Sequence, residues 1–266
     1  MKLYGLIGYP LGHSFSPDYF HQKFIQEGID ADYRLFPLSH IDALNELLHS
    51  QNNLAGFNVT IPYKELIIKY LDIIDKDAEA IGAVNCVKII RSEIEAVSGK
   101  NGNFLLAVAN TDARAFAETL AEGWTLPPKA LIFGTGGAAK AVAFALQKLQ
   151  IDFHFVSRTT HDHQTYLYSE LSDKILIENK LWINASPVGM YPNTAAKLQI
   201  NTLCLSPEHH VYDLIYNPEE TLFLKEARLG GAQVKNGLAM LHRQADLAWK
   251  YFSLPLSPHF GGMASR

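Results

Sequence analysis

The residue with the clearest chemical potential in this sequence is Lys64, which ends the segment N-V-T-I-P-Y-K that begins at Asn58. Alternating apolar residues in its first half predict a short strand. Thr60 then suits the N-cap of a helix and Pro62 its first turn, which places Lys64 where the helix dipole repels a cation. Stability alone does not favour a lysine there, whereas a proton donor or acceptor is a plausible use for it. Taken by itself, the segment is explained more simply by a solvated surface lysine.

A second candidate feature is the glycine-rich segment G-T-G-G-A-A at 134–139, which fits the pattern G-x-G-x-x-A. An apolar strand is predicted before it at 130–133, an apolar-faced helix after it, and a further strand begins about 20 residues on. In that context Gly134 permits a tight turn, and Gly136 lets the backbone approach a pyrophosphate. The N–H groups at the helix start would bind the charge of the pyrophosphate. The segment therefore predicts a dinucleotide site.

The residues after the next strand indicate which dinucleotide is bound. An NAD site has an acidic residue there for the ribose 2′-hydroxyl, whereas this chain has Ser157, Arg158 and Thr159. A guanidinium can bind a 2′-phosphate through charge-assisted hydrogen bonds of roughly 1.5–3 kcal/mol each. We therefore expect NADP as the cofactor.

Small polar side chains recur at the predicted strand ends of the N-terminal half. Each has a simpler structural explanation, such as a helix cap for Ser16 or Asp112 and a turn for Asn85. Together they lie where open α/β sheets bind ligands, outside the carboxyl ends of the strands. They suit a small polyhydroxylated substrate and comprise Ser14, Ser16, Asn58, Thr60, Asn85 and Asp112.

The elements that must position these residues alternate between strand and helix, which predicts an α/β fold with largely parallel sheets. Helices are predicted at 16–26, with Ser16 as cap, at 41–49 and at 72–80. The polar segment 98–103 predicts a hairpin turn, and 159–169 has no clear pattern. We expect the tail 253–266 to be loosely held.

The composition excludes several classes of protein. The chain has 266 residues, 48% hydrophobic and 19% charged, with a net charge of -4, so nothing indicates binding to nucleic acid or to an anionic membrane. Cys86 and Cys204 lie in no metal-binding pattern and suit free thiols in a reducing cytoplasm. No apolar run reaches transmembrane length and the N-terminus does not resemble a signal peptide. We therefore expect a cytoplasmic protein without a metal.

Nine motifs, in order, resemble the shikimate dehydrogenase family over nearly the whole chain, from Leu3 to about Phe252. They are H-S-F-S-P at 13–17, N-V-T-I-P-Y-K at 58–64, I-G-A-V-N at 81–85, N-T-D at 110–112, G-T-G-G-A-A at 134–139, S-R-T at 157–159, N-A-S-P-V-G-M at 184–190, D-L-I-Y-N-P at 213–218 and N-G-L-A-M-L-H-R-Q-A at 236–245.

The resemblance implies an enzyme that reduces 3-dehydroshikimate to shikimate with NADPH, on the route to chorismate and the aromatic amino acids. Lys64 would be the catalytic acid and base, with Asp112 beside it. Ser14, Ser16 and Tyr216 would hold the substrate carboxylate, and Thr60, Asn85, Asp112 and Gln244 its hydroxyls. The residues implied to contact NADP are Gly134, Thr135, Gly136, Gly137, Ala138, Ser157, Arg158, Thr159, Leu214 and Gly237.

The domain plan follows from the order of these motifs. Residues 1–111 and 238–266 would form a mostly parallel, open-sheet substrate domain, to which the C-terminal helix returns. Residues 112–237 would form a Rossmann-like NADP domain. The binding partner implied is the small-molecule substrate, 3-dehydroshikimate or shikimate. The oligomeric state stays open between monomer and homodimer.

Two departures and three alternatives accompany the resemblance. Ala113 and Ala115 replace glycines that are usual after N-T-D, and their methyl groups could crowd the start of that helix. The alternatives to a shikimate dehydrogenase are a dual quinate/shikimate dehydrogenase, a non-catalytic regulator with the same fold and a folate-type dehydrogenase.

Overall fold

The computed structural model describes residues 1–12, 14–91, 99–100, 103–159 and 163–254. The chain forms two compact units, Met1–Thr111 together with the chain from Ala245 onward, and Asp112–Gln244. The second unit thus extends beyond the predicted limit of 237, into the last helix. Half of the predicted turn at 98–103 and most of the tail at 253–266 lie outside the described residues.

The first unit is built on a mostly parallel sheet. Its described strands are β1 (Lys2–Gly8), β2 (Ala31–Pro37), β3 (Leu54–Val59), β4 (Ile73–Ile74), β5 (Cys86–Arg91) and β6 (Phe104–Ala109), in the order β2-β1-β3-β5-β6-β4. Strand β5 runs antiparallel to both neighbours and the remaining pairs are parallel. This confirms the predicted open, mostly parallel sheet.

Helices cover both faces of this sheet because apolar side chains alternate along its strands. They are α1 (Ser16–Glu27), α2 (Leu44–Ser50), α3 (Tyr63–Leu66) and α4 (Lys76–Ile81). From β1, Leu3 and Ile7 enter a core with α2 and α3. Tyr4 and Leu6 enter the opposite core, with α1 and Phe252 of the last helix.

The second unit is built on a parallel sheet. Its described strands are β7 (Lys129–Phe133), β8 (Asp152–Ser157), β9 (Thr165–Leu167), β10 (Leu181–Asn184), β11 (His210–Asp213) and β12 (Gln233–Lys235), in the order β12-β11-β10-β7-β8-β9. All of these pairs are parallel. Read from β9, this is the doubly wound order 3-2-1-4-5-6, with its switch point between β7 and β10. The prediction of a Rossmann-like fold is confirmed.

The helices that begin after Asn110 are α5 (Thr111–Ala121), α6 (Gly137–Lys148), α7 (Asp173–Glu178), α8 (Leu222–Leu229) and α9 (Leu238–Ser253). Helices α7 and α8 share a core with one face of the second sheet. Helix α5 packs on the other face, where the ring of Phe116 meets that of Tyr212 at 5.2 Å. Arg243, in the first half of α9, pairs with Glu118 of α5 at 2.6 Å and with Glu122, directly after α5, at 3.1 Å.

Several local predictions were wrong. Thr60 is not the N-cap of α3, because the N-cap position falls on Pro62. The bond that Thr60 accepts from Tyr63 N, at 2.9 Å, is made by its main-chain oxygen. Ser16 is the first residue of α1 and not its cap, which is Phe15. The helix expected from residue 72 begins only at Lys76, after β4.

Among the described helices, none has the length and apolar character needed to span a membrane.

Candidate active site

One edge of the first sheet gathers the predicted substrate residues. Strands β1, β3 and β6 end at this edge, and the antiparallel β5 begins there. The chain therefore brings to one edge Ser14 and Ser16 after β1, Thr60 and Lys64 after β3, Asn85 before β5 and Thr111 after β6.

Main-chain hydrogen bonds fix the segment that carries Lys64. Thr60 N donates to Ile7 O at 2.9 Å, which ties the end of β3 to β1. On the other side, Val59 N donates to Asn85 O at 2.9 Å and Val84 N donates to Lys64 O at 2.8 Å. The backbone of half-buried Lys64 is thereby joined to the turn that carries Asn85.

A buried chain of side-chain hydrogen bonds runs behind these residues. The Tyr33 hydroxyl donates to Asn58 Oδ1 at 2.9 Å, and Asn58 Nδ2 donates to Asn85 O at 3.1 Å. Asn85 Nδ2 in turn donates to Thr111 Oγ1 at 2.8 Å, and Asn85 Oδ1 accepts from Thr111 N at 2.8 Å. All four residues are buried, so their side chains are held in one orientation. We call this set the Tyr33–Thr111 chain.

The two predicted serines lie beside each other at the start of α1. Both are half-buried, and Ser14 Oγ accepts a hydrogen bond from Ser16 N at 3.3 Å. Asp112 follows Thr111 directly and is the second residue of α5, beyond the position of a helix cap. Its side chain is buried.

In the second unit, the glycine turn follows β7 at the switch point of the sheet. Gly134 has a φ of 116° and its N–H donates to Val156 O at 3.0 Å. A Cβ at this residue would lie 3.1 Å from Ala185 O. Both the backbone conformation and the close approach to the loop after β10 therefore require glycine.

Gly136 differs, because neither its conformation nor the surrounding protein requires glycine. It is the N-cap of α6 with φ -78° and ψ -176°, and a Cβ there would meet no described atom within 4 Å. The first N–H groups of a helix have no partner within the helix and attract anions. The missing side chain leaves room in front of α6 for a phosphate group, so the residues present fit a dinucleotide.

The segment after β8 forms a tight turn. Ser157 Oγ accepts a hydrogen bond from Thr159 N at 3.1 Å, which leaves Arg158 and Thr159 exposed. Burial raises the pKa of Tyr168, and the charge of Arg158 opposes that rise. The guanidinium therefore lies close to the end of β9 and offers a positive charge at the carboxyl edge of the sheet.

Leu214 and Gly237 are also brought together. Leu214 follows β11, and a Cβ at Gly237 would lie 2.0 Å from Leu214 O, so only glycine fits. Half-buried Tyr216 lies two residues further along the same loop. Gln244, in α9, donates from Nε2 to Leu241 O at 3.0 Å.

A buried carboxylate that the sequence did not single out anchors these loops. Asp213 is fully buried and accepts hydrogen bonds from Asn184 Nδ2 at 3.0 Å, Ile215 N at 3.0 Å and Thr221 Oγ1 at 2.6 Å. Burial raises the pKa of Asp213 to about 6, although the three hydrogen bonds act in the opposite direction. The pattern in the sequence that could have pointed to Asp213 was an acidic residue at the end of an apolar strand.

Comparisons with known proteins match this arrangement. A family model described as "Shikimate dehydrogenase substrate binding domain" matches residues 6–87. A shikimate dehydrogenase (NADP(+)) of Methanococcus maripaludis is 38% identical over 269 residues, which is 95% of this chain and 92% of the relative. The chain belongs to the shikimate dehydrogenase family. This confirms the resemblance read from the nine motifs.

Solved structures of the family agree in fold. Shikimate 5-dehydrogenase from Thermus thermophilus, in complex with NADP(H) and shikimate, is 30% identical with a TM-score of 0.80, covering 97% of this chain and 96% of that one. Quinate dehydrogenase from Corynebacterium glutamicum, in complex with NAD, is 25% identical with a TM-score of 0.79, covering 95% and 93%.

Set against this family, the structure brings the predicted residues into two groups. Ser14, Ser16, Thr60, Lys64 and Asn85 lie at one edge of the first sheet, and the predicted NADP residues lie at the carboxyl edge of the second, with Tyr216. Asp112 and Gln244 are the first and last residues of the second unit. Ala113 and Ala115, where the shikimate dehydrogenase motif usually has glycine, are buried within α5, which still begins at Thr111.

Proposed function

We propose that this protein catalyses the reversible NADP-dependent reduction of 3-dehydroshikimate to shikimate, in the biosynthesis of chorismate and the aromatic amino acids. The observation that carries the proposal is 38% identity to an NADP-dependent shikimate dehydrogenase over 92% of its length. The first unit is the substrate domain and the second the NADP domain. The enzyme works in the cytoplasm, as a monomer or a homodimer.

The cofactor is held by the second unit. The N–H groups at the start of α6 bind the pyrophosphate in the space that Gly136 leaves open, and Gly134, Thr135, Gly137 and Ala138 complete the turn. Arg158 and Thr159, oriented by the Ser157 hydroxyl, bind the 2′-phosphate. Leu214 and Gly237 contact the cofactor at the end of β11. When bound, NADPH supplies the hydride.

The substrate is held by polar side chains. The hydroxyls of Ser14, Ser16 and Tyr216 donate hydrogen bonds to its carboxylate, and hydrogen bonds to an ionised acceptor are stronger than those to a neutral one. The remaining contacts orient the ring by its hydroxyls and come from Thr60, Asn85, Asp112 and Gln244.

Lys64 moves the proton. During reduction its ammonium Nζ gives a proton to the oxygen of the C3 carbonyl as that carbon becomes an alcohol, and in oxidation the neutral amine takes the proton back. Asp112 is its acidic partner. The main-chain bond from Val84 to Lys64 supports this role by fixing the backbone of the lysine next to the Asn85 turn. A positioned acid or base contributes about 10²–10⁴ in rate.

The test measures NADPH absorbance with purified protein, shikimate and NADP. We expect Lys64→Ala to lower kcat at least about 100-fold, with the dissociation constant for NADP unchanged. Lys69→Ala is the matched control, because Lys69 lies in the same segment but is exposed and pairs with the exposed Asp42 at 3.5 Å. Near-normal turnover by the Lys64 variant would show that Lys64 does not transfer the proton.

The similarity to a quinate dehydrogenase makes quinate the second substrate to test. Arg158, with its positive charge beside the end of β8, favours NADP over NAD. The wild type is therefore assayed on shikimate and quinate with each cofactor. Comparable turnover of quinate would indicate a dual enzyme, and binding of NADP and shikimate without turnover would indicate a regulator.

A further inference from the structure

Tyr33 is a buried phenol at the head of the Tyr33–Thr111 chain. It lies in β2 with 1% of its surface exposed, and its ring stacks on Phe20 of α1 at 4.3 Å. We propose that the Tyr33 hydroxyl is a positioning group for the substrate site, which sets the orientation of Asn58, and through it the Asn85 turn, without touching substrate. This inference rests on the proposed function.

The direction of each hydrogen bond follows from the groups present. Asn58 Nδ2 donates to Asn85 O at 3.1 Å, so Asn58 Oδ1 faces Tyr33. This oxygen accepts a hydrogen bond from the Tyr33 hydroxyl at 2.9 Å. A phenol has one proton to donate. The Asn58 amide is thus fixed at both ends, and a rotation of this amide would break its bond to Tyr33 as well as its bond to the Asn85 turn.

The Tyr33 phenol keeps its proton, because burial raises its pKa well above the ordinary value. The hydroxyl is therefore the donor in its bond to Asn58 Oδ1. Through Asn58, the phenol is linked to the turn that carries Asn85.

Packing explains the ring of Tyr33 but not its hydroxyl. Phenylalanine would fill the same space and stack on Phe20 in the same way. A buried hydroxyl is unfavourable unless it is hydrogen-bonded, and this one bonds specifically to the residues behind the proposed substrate contacts. Its removal would leave Asn58 Oδ1 buried without a donor, with Asn58 free to turn away from the Asn85 turn.

The test is Tyr33→Phe, assayed with shikimate and NADP. We expect KM for shikimate to rise about tenfold, the change in affinity that one such hydrogen bond can supply, while KM for NADP stays constant and kcat changes far less. The matched control is Tyr212→Phe, which also removes a buried phenol hydroxyl, bonded to Thr119 Oγ1 at 2.9 Å in the second unit. It should leave both KM values unchanged.

An unchanged KM for shikimate in Tyr33→Phe, or an equal rise in both KM values, would overturn the inference. Asn58→Leu interrupts the chain one residue further on while Asn85 O keeps its bond from Val59 N, and it should show the same selective rise. If circular dichroism shows that Tyr33→Phe is unfolded, a normal KM for shikimate in Asn58→Leu decides against the inference. A wild type that does not oxidise shikimate would instead overturn the proposed function, and the inference with it.

Discussion

The sharpest test of the cofactor site is Gly136→Ala, which adds one methyl group in front of α6. The backbone at Gly136, with φ -78° and ψ -176°, is open to alanine, and the new Cβ would meet no described atom within 4 Å. A Gly→Ala change at a compatible position stabilises by about 0.4–1 kcal/mol, whereas the N-cap prefers glycine to alanine. These effects oppose each other, so the free energy of unfolding should change by less than about 1 kcal/mol.

The effect on NADP should be much larger. The methyl group would fill the space through which a pyrophosphate reaches the first N–H groups of α6. Loss of one charge-assisted hydrogen bond costs about 1.5–3 kcal/mol, which corresponds to a roughly 10- to 200-fold weaker dissociation constant. The variant should therefore retain its fold and lose its cofactor.

Both quantities are measured on the same protein, by thermal unfolding and by calorimetric titration with NADP. Gly134→Ala is the contrasting variant, because its φ of 116° and the 3.1 Å approach to Ala185 O should make alanine destabilising there. Wild-type NADP affinity in Gly136→Ala would refute the assignment of this turn to the pyrophosphate. A large loss of stability would refute the conclusion that the space is open.

Three further outcomes are expected. Arg158→Ala should reduce the kinetic preference for NADP over NAD about 10- to 100-fold, and an unchanged preference would contradict the 2′-phosphate assignment. Gly237→Ala should lower the melting temperature markedly, since its Cβ would overlap Leu214 O at 2.0 Å. The pKa of Asp213 is about 6 in the folded protein against 3.8 when unfolded, so the folded state holds a proton on this carboxyl more tightly than the unfolded state does. Protonation of Asp213 therefore adds about 3 kcal/mol to the free energy of unfolding below pH 4, and this stabilisation is lost as pH rises through 6. Unfolding measured from pH 4 to 7 should show a smaller decline in Asp213→Asn than in the wild type.

Strands that are short apolar runs between turn residues were predictable from the sequence. Strand β7, predicted at 130–133, occurs at Lys129–Phe133. The segment 72–80 was misread, because its isoleucines fit a helix as well as the edge strand β4. Strand β9 arises in the polar segment 159–169, whose structure depends on packing against the rest of the second unit, as Tyr166 of β9 shows. Such dependence leaves no local pattern to read.

The site was predictable where one residue type has one common use, and not elsewhere. The glycine turn and Arg158 follow from phosphate chemistry, so their motifs carry the prediction. Tyr33 looks like any aromatic residue of a strand, and its role depends on Asn58, which lies 25 residues away. Asp213 likewise acquires its partners only when Asn184 and Thr221 come together after folding. Pairings between distant residues are the part that sequence patterns do not contain.

The case of Lys64 shows how the structure changes the argument for a chemical role. The sequence placed it at the start of a regular helix, but α3 has four residues and continues as a 3₁₀ turn over Ile67–Tyr70. So few aligned peptides make a weak dipole, and repulsion from it does not explain the lysine. What distinguishes Lys64 from Lys69 is position: its main-chain oxygen is bonded to Val84 N, beside the Asn85 turn, whereas Lys69 is exposed next to Asp42. The support for a catalytic lysine therefore comes from the sheet edge that holds it, not from the helix that carries it.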